Sequence, residues 1–163
     1  TTSVFELGDG DSRTKIQSSN KDHPLAASKE PSSEFLYING KTLYAANCQA
    51  CHQSTGMGLA GAFPPLSGSE YVTKSSKRLA AVVLRGVQGP LTVNGQLYDG
   101  MMPSFAATMD DQQIASILTY IRRSWQNNSS MITAETIKEV RDKTKTQTTP
   151  WNGDEDLTNI SFD

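Results

Sequence analysis

Two cysteines three residues apart, with a histidine directly after the second, constrain this chain more than any other feature. The motif is Cys48-Gln49-Ala50-Cys51-His52, a pattern typical of the covalent attachment of c-type haem. If the segment is helical, both cysteines and the histidine lie on one face, about one turn apart. The thiols can then add to the two vinyl groups of a porphyrin as thioethers, and His52 can bind the iron. The chain contains 2 cysteines, so the motif accounts for both.

Three other interpretations of the motif agree less well with the sequence. A structural zinc site needs about four nitrogen or sulfur ligands, and beyond the motif the chain offers only the distant His23. A thioredoxin-like thiol pair usually lies near a βαβ pattern, and no such alternation of strands and helices is visible. Any short motif can match by chance, but a chance match predicts no second iron ligand further along the chain.

A second axial ligand is expected among the methionines, which are Met57, Met101, Met102, Met109 and Met131. Met57 follows His52 too closely in the sequence to reach the opposite haem face easily. Met131 lies beyond the helix that is expected to close the core. Both are therefore expected to be packing or surface residues, which leaves the other three methionines as candidates.

The segment around Met102 is expected to form an extended strap. Pro103 disfavours the helical conformation at the residue before it, and Gly100 allows the backbone to approach a flat cofactor closely. We therefore predict that Met102 is the sixth iron ligand. Met101 and Met109 are the alternatives, and a role for Met102 as an ordinary core methionine is the remaining interpretation.

With both motifs in place, the chain resembles the class I cytochromes c from about Glu34 to Asn127. Gly40 and Tyr44 are similar to the glycine and aromatic residue of that family's first helix. The resemblance implies that this helix closely crosses the last core helix. The partner face on the last helix would consist of Ile117, Tyr120 and Ile121.

The resemblance extends to the residues that follow the haem motif. Pro64-Pro65-Leu66 is similar to the Pro-x-Leu segment of the family. The resemblance implies that the Pro64 carbonyl accepts a hydrogen bond from the His52 ring. This bond would fix the orientation of the imidazole and raise its basicity.

The strap and the end of the last core helix resemble a narrower group. Met102-Pro103-x-Phe105 and the closing Ser124-Trp125 with Asn127 are similar to periplasmic c-type domains. Those domains serve, or are fused to, quinoprotein dehydrogenases, copper nitrite reductases and terminal oxidases. Gln126 stands where the family usually has glycine, a departure that affects a turn and not the haem.

The expected fold class is all-α, with about four or five helices around one covalent haem, as the class I cytochrome c fold implies. Helices are predicted over about 34–50, 76–85 and 110–124, the last beginning with a capping box of Asp110 and Gln113. Asn94-Gly95 lies between two short β-prone runs and predicts a small hairpin before the strap.

Three segments are expected along the chain. Residues 1–33 are polar without a sustained apolar period, which predicts a flexible arm or tether. Residues 34–127 are expected to form the cytochrome c domain. Residues 128–163 are expected to add a helix over about 133–143, packed outside the core, and an acidic tail.

The charge pattern bears on possible partners. A net charge of −2 gives little reason to expect nucleic acid binding. Four basic residues lie before or on the second helix and form either a solvated helix face or a steering patch for an acidic redox partner. They are Lys74, Lys77, Arg78 and Arg85.

The location is inferred mainly from the resemblance. The longest apolar run, Leu79 to Leu84, is too short to cross a bilayer, and the first residues lack the layout of a signal peptide. The chain is therefore expected to be soluble and already processed. Covalent haem attachment occurs on the export side in the family, which implies a periplasmic or outer-face location, with a possible membrane tether through the N-terminal arm.

The functional hypothesis is a monohaem electron carrier in which His52 and Met102 fill both axial positions. No substrate chemistry is expected at such a site, so the chain is not expected to be an enzyme. Its partners would be a redox protein donor and acceptor, such as a dehydrogenase, reductase or terminal oxidase. One alternative is a permanent cytochrome subunit of such a complex. Another is a haem protein in which a small ligand displaces Met102.

Overall fold

The structure is a computed structural model that describes residues 30–162. Its helices are α1 (Ser33–Asn47), α2 (Gln49–His52), α3 (Glu70–Thr73), α4 (Ser76–Arg85), α5 (Asp111–Arg123), α6 (Ala134–Lys143) and α7 (Gly153–Leu157). Its strands are β1 (Val87–Val93), β2 (Gln96–Met102) and β3 (Trp151–Asn152). The predicted arm falls on residues 1–29 for most of its length, outside the described residues, and so does His23.

The crossing of α1 and α5 forms the centre of the fold. Helix α1 begins where the Ser32 hydroxyl accepts a hydrogen bond from the Phe35 N–H at 3.2 Å. Helix α5 begins with the predicted capping box, in which Asp110 and Gln113 bond to each other's backbone N–H groups. The side of α1 that faces α5 carries Gly40, so the two helices approach as closely as the resemblance implied.

A small sheet accompanies the helices. Strands β1 and β2 pair in antiparallel fashion, with Leu91 opposite Tyr98, and form the predicted hairpin. Asn94 and Gly95 turn the chain with φ angles of 50° and 75°, the left-handed conformation that an Asn-Gly turn requires. Strand β3 pairs in parallel with β1, which makes the sheet three-stranded and mixed.

The predicted fold class was therefore only partly right. The described residues form a helical core, but they also contain a three-stranded sheet and more helices than expected. The additional elements are short: α2 and α3 have 4 residues each and β3 has 2. Segments of this length contain barely one hydrophobic period and no repeat of it, so a search for periodicity does not detect them.

Helix α6 does not pack outside the core, contrary to expectation. Its Ile137 and Val140 are fully buried and join the same hydrophobic cluster as α1, α4 and α5. Ile132 before the helix and Phe162 near the end of the chain belong to this cluster too. The apolar stripe of α6 therefore completes the core rather than covering it from outside.

The described part of the chain contains no helix with both the length and the apolar character to span a membrane.

Candidate functional site

A large apolar cavity lies among α2, α4, α5, the β1–β2 hairpin and the strap that follows it. It encloses about 1310 Å³ of empty space, part of which opens to solvent. Sites for cofactors are concave and mostly apolar with a few polar groups, and this cavity has that character. Its lining is mostly aliphatic and aromatic and includes Leu79, Val83, Leu91, Phe105, Ile117 and Leu118.

The haem motif lines this cavity. Cys48, Cys51 and His52 all contribute to the lining. The predicted continuous helix to residue 50 is interrupted at Cys48, where φ is −121° and ψ is −31°. Helix α2 then begins at once, and the His52 N–H donates to the Cys48 carbonyl at 3.0 Å. The short second helix keeps the three side chains near one another on the cavity wall.

Burial keeps the Cys48 thiol in its neutral form. Burial, and to a smaller extent the nearby Cys51, together raise the pKa of Cys48 to about 12. Cys48 and Cys51 do not form a disulfide with each other. Among the described residues, no three His, Cys, Asp or Glu side chains are grouped so that they could hold a metal ion, which gives no support to the zinc interpretation.

His52 is buried, and one of its ring nitrogens has a defined partner. Its Nδ1 lies 2.9 Å from the Pro64 carbonyl oxygen, and since a carbonyl only accepts, Nδ1 carries the proton. Burial lowers the pKa of His52, although the bond to Pro64 acts in the opposite direction. The ring is therefore held neutral, with the lone pair on Nε2 available to a metal.

The loop that presents Pro64 is fixed by backbone contacts. The Gly58 N–H donates to the His52 carbonyl at 3.0 Å, and the Leu59 N–H donates to the Phe63 carbonyl at 2.9 Å. Gly58 has a φ of 64°, and a Cβ atom there would lie 2.7 Å from the Pro64 oxygen. Only glycine fits this position without moving the acceptor of the His52 hydrogen bond.

Met102 lines the same cavity, at the end of β2. The strap that follows is attached to the end of α4: the Phe105 N–H donates to the Val83 carbonyl at 3.1 Å, and the Ser104 hydroxyl donates to the Leu84 carbonyl at 2.5 Å. A Cβ atom on Gly86 would lie 2.5 Å from the Met102 carbonyl oxygen. The backbone of the strap is therefore held close against α4.

The other methionines divide into two groups. Met57 and Met131 do not line the cavity, whereas Met101 and Met109 do. Met101 is 72% exposed at the rim, and Met109 is 8% exposed and belongs to the main core cluster. Met101 and Met102 are consecutive on a strand, so their side chains point to opposite faces.

Four aromatic rings fill the space between α1 and the end of α5. The centroid of Tyr120 lies 5.2 Å from Tyr37, 5.3 Å from Tyr44 and 5.6 Å from Trp125. The Trp125 indole N–H donates to the Ser54 carbonyl at 2.9 Å. Trp125 thus connects the end of α5 to the loop after the haem motif.

Asn127 joins the same two regions through its side chain. Its amide N–H group donates to the Leu66 carbonyl at 3.1 Å and to the Ile121 carbonyl at 2.9 Å. Its side-chain oxygen accepts from the Gly68 N–H at 2.8 Å. The sequence placed Asn127 in a motif, but only the structure shows that it holds the loop after Pro64 against α5.

The C-terminal segment supports the back of the hairpin, which the sequence did not predict. The Thr92 N–H lies 3.0 Å from each carboxylate oxygen of Asp154, and the Tyr71 hydroxyl donates to the same carboxylate at 3.2 Å. Leu157 is fully buried in a cluster with the cavity-lining Leu91. An acidic residue in an acidic tail gives no sequence signal for such a role.

The four basic residues do not form one exposed patch. The Lys77 ammonium group is paired with Glu139 of α6 at 2.9 Å. The Arg85 guanidinium donates to the Thr144 hydroxyl at 3.0 Å and to the Arg141 carbonyl at 2.9 Å. Two of the four charges therefore attach α4 to α6, and neither interpretation of the cluster applies to all its members.

Comparison with known proteins adds an independent observation. The family model described as "Cytochrome c" matches residues 37–125, a range that contains the haem motif and the strap. Cytochrome c-552 from Thermus thermophilus is 40% identical over 114 residues, which cover 64% of this chain and 86% of the relative. A second cytochrome c-552, from a particular strain of the same species, is 39% identical over 125 residues, covering 67% of this chain and 84% of the relative.

A second group of relatives consists of proteins that are much longer than this chain. The cytochrome c subunit of a quinone alcohol dehydrogenase from Gluconacetobacter polyoxogenes is 31% identical over 122 residues. These residues cover 73% of this chain but 26% of the relative. The similarity therefore concerns about a quarter of that subunit.

Proposed function

The chain belongs to the cytochrome c family, and on this premise we propose that it passes single electrons between redox proteins through a haem held by His52 and Met102. Family membership makes it a monohaem electron carrier with covalently bound haem c. The proposal adds the residues: Cys48 and Cys51 form the thioether bonds, and Pro64 orients His52. When bound, the haem supplies an iron that cycles between the ferric and ferrous states.

One observation carries the assignment of these residues. The haem motif and the methionine strap lie far apart in the sequence, yet both line one apolar cavity. Such a cavity suits a large, flat, mostly apolar cofactor, and two cysteines, a histidine and a methionine are among its lining residues.

The environment of His52 supports its role as the first axial ligand. Burial favours the neutral ring, and the hydrogen bond from Nδ1 to the Pro64 carbonyl leaves Nε2 as the nitrogen with a lone pair. A partner of this kind fixes the tautomer and the ring orientation of a metal-binding histidine. The close packing of Gly58 against the Pro64 carbonyl helps to keep the acceptor in place.

The strap supports Met102 as the second axial ligand. Its backbone is bonded to the end of α4, which limits its movement away from the cavity. Methionine is a neutral, soft donor, and together with an apolar lining it favours the ferrous form and a high reduction potential. With both axial positions filled by the chain's own side chains, no position remains for a substrate, so the chain is a carrier and not an enzyme.

Electrons enter and leave where the cavity reaches the surface. Met101 is 72% exposed at the cavity rim, and Met57 and Leu59 are 61% and 55% exposed in the loop after the haem motif. Exposed apolar groups of this kind suit brief contact with a redox protein. The donor and acceptor are proteins such as a dehydrogenase, a reductase or a terminal oxidase.

A second candidate function is that of a module in a dehydrogenase complex. Among the relatives are cytochrome subunits of alcohol, fructose and gluconate dehydrogenases. In this form the chain would receive electrons from a permanently attached dehydrogenase. We place either form in the periplasm or at the outer face of the cytoplasmic membrane, with residues 1–33 as a possible tether.

Anaerobic carbon monoxide distinguishes a closed carrier from an open haem protein. The gas is added to the reduced, haem-loaded full chain, and the absorption spectrum is compared with that of the untreated sample. A carrier with both axial positions filled gives no change, whereas rapid formation of a carbon monoxide adduct would contradict the proposal. Copurification with a dehydrogenase from native membranes would favour the module, and a free monomer would favour the independent carrier.

A further inference from the structure

Arg122 is a buried cation whose hydrogen-bond partners are all uncharged. It lies in the last turn of α5 and is 4% exposed. Its Nη1 donates to the Val72 carbonyl at 2.6 Å, and its Nε donates to the Ser130 carbonyl at 2.8 Å. Its Nη2 lies 3.4 Å from the Ser130 hydroxyl. In the part of the chain that the structure describes, no carboxylate forms an ion pair with it.

A buried cation without a carboxylate partner is unfavourable for the stability of the folded chain. Removing a charge from water is costly, and carbonyl groups offset only part of this cost unless an opposite charge is nearby. Burial accordingly lowers the pKa of Arg122. A neutral side chain could fill the same space more favourably, so the charge itself requires an explanation.

The guanidinium group is bonded to a residue of the cavity wall. Val72, whose carbonyl accepts the bond from Nη1, is 1% exposed and lines the cavity. Leu118 and Ile121 of the same helix line it as well, whereas Arg122 does not. A charge buried from solvent is screened less than a surface charge and therefore acts over a longer distance.

The loop after α5 holds the charge in place. The Ser129 N–H donates to the Arg122 carbonyl at 3.0 Å, and the Ser129 hydroxyl donates to the Thr73 carbonyl at 3.3 Å. The guanidinium group therefore lies between this loop and the end of α3.

We propose that Arg122 is a fixed positive charge that raises the reduction potential of the haem in the neighbouring cavity. The inference rests on the proposed function, because it requires the haem to occupy that cavity. Reduction takes one electron from a protein donor and adds one negative charge to the cavity, with no bond formed or broken at Arg122. The nearby cation stabilises the reduced form more than the oxidised form, without touching the cofactor.

Two neighbouring arginines provide the first test. Arg122→Met removes the buried charge, and Arg123→Met removes the same charge from the next residue, which is exposed. Reduction potentials are measured by spectroelectrochemical titration of the haem-loaded full chain at low and high salt. Arg122→Met is expected to lower the potential by several times the shift in Arg123→Met. Only the smaller shift should disappear at high salt, because ions screen exposed charges.

A second variant neutralises the charge without removing the guanidinium group. Ser130 is exposed and close to Nη2, so Ser130→Asp introduces a carboxylate beside Arg122 at the surface. It is expected to lower the potential while the thermal midpoint stays near that of the wild type. Asn128→Asp adds the same charge at another exposed position of this loop and should leave the potential nearly unchanged.

The outcomes separate this inference from the proposed function. A wild-type protein without covalent haem or a reversible one-electron couple would contradict the proposed function itself. A normal couple with unchanged potentials in Arg122→Met and Ser130→Asp would overturn the role of Arg122 alone, as would equal shifts in Arg122→Met and Arg123→Met. If Arg122→Met does not fold, Ser130→Asp against Asn128→Asp decides the question.

Discussion

Gly40 of α1 packs directly against the backbone of Ser116 in α5. A Cβ atom at Gly40 would clash with the Ser116 carbonyl oxygen and would lie 2.8 Å from Tyr120 Cβ. The missing side chain lets two helices meet at their backbones. Because α5 contributes Ile117, Leu118 and Ile121 to the cavity, this contact also fixes one wall of the candidate site.

Gly40→Ala is expected to destabilise the protein. Alanine normally stabilises a helix relative to glycine by about 1 kcal/mol, but here the clash is with backbone, which cannot move aside as a flexible side chain would. Overpacking of this kind typically costs about 1–3 kcal/mol. Denaturant unfolding measures the change, and Thr42→Ala at an exposed position of the same helix is the control, expected within about 0.5 kcal/mol of the wild type. A Gly40→Ala protein as stable as the control would show that the helices do not meet this closely.

Gln126→Gly is expected to stabilise the protein. Gln126 has a φ of 77°, in the left-handed region, where a Cβ atom costs about 1–2 kcal/mol. Glycine removes this strain but adds freedom to the unfolded chain, so the expected gain is about 0.5–1 kcal/mol in the free energy of unfolding. Gln126→Ala keeps the strain and serves as the control. Equal stability of the two variants would mean that this backbone conformation is not strained.

The contact between Tyr71 and Asp154 predicts a loss of stability at alkaline pH. Burial and the adjacent Asp154 raise the pKa of Tyr71 from 10.0 to about 12. The unfolded chain therefore releases the Tyr71 proton at lower pH than the folded chain does. The contribution of Tyr71 is complete below its unfolded pKa and is lost as the pH rises through the folded value.

The corresponding measurement compares Tyr71→Phe with the wild type. Chemical unfolding at several pH values between neutrality and about pH 12 should show a smaller alkaline decline in the variant, because phenylalanine has no proton to lose. Tyr71 is only partly buried, so the difference is expected to be well below the full value of the shift. Parallel declines in the two proteins would contradict the raised pKa of Tyr71.

The main elements could be predicted because each has a strong local signal. Helix α4 shows an apolar side bounded by Ser75 and Gly86, and α5 begins with the capping box of Asp110 and Gln113. Asn94-Gly95 marked the hairpin. Strand β3 and helix α7 gave no such signal. They form through contacts between a polar segment and β1, and their own residues show no periodic pattern.

The candidate site likewise contains some residues with a local sequence signal and others without one. The haem motif and the Met-Pro strap are visible in the sequence because their chemistry depends on short spacing. The roles of Asp154, Asn127 and Arg122 depend on contacts with residues far away in the sequence, such as Thr92, Leu66 and Val72. The sequence near these three residues does not identify their distant partners, which only the fold brings together.

The identity of the methionine ligand tests the central claim most directly. Met102→Ala, Met101→Ala and Met109→Ala are each loaded with haem, and the ferric spectra are examined for the sulfur-to-iron charge-transfer band. Circular dichroism confirms that each variant retains its helices. We expect the band to disappear, and the reduction potential to fall, only in Met102→Ala. Survival of the band in Met102→Ala, with its loss in Met101→Ala or Met109→Ala, would contradict the proposed coordination by His52 and Met102.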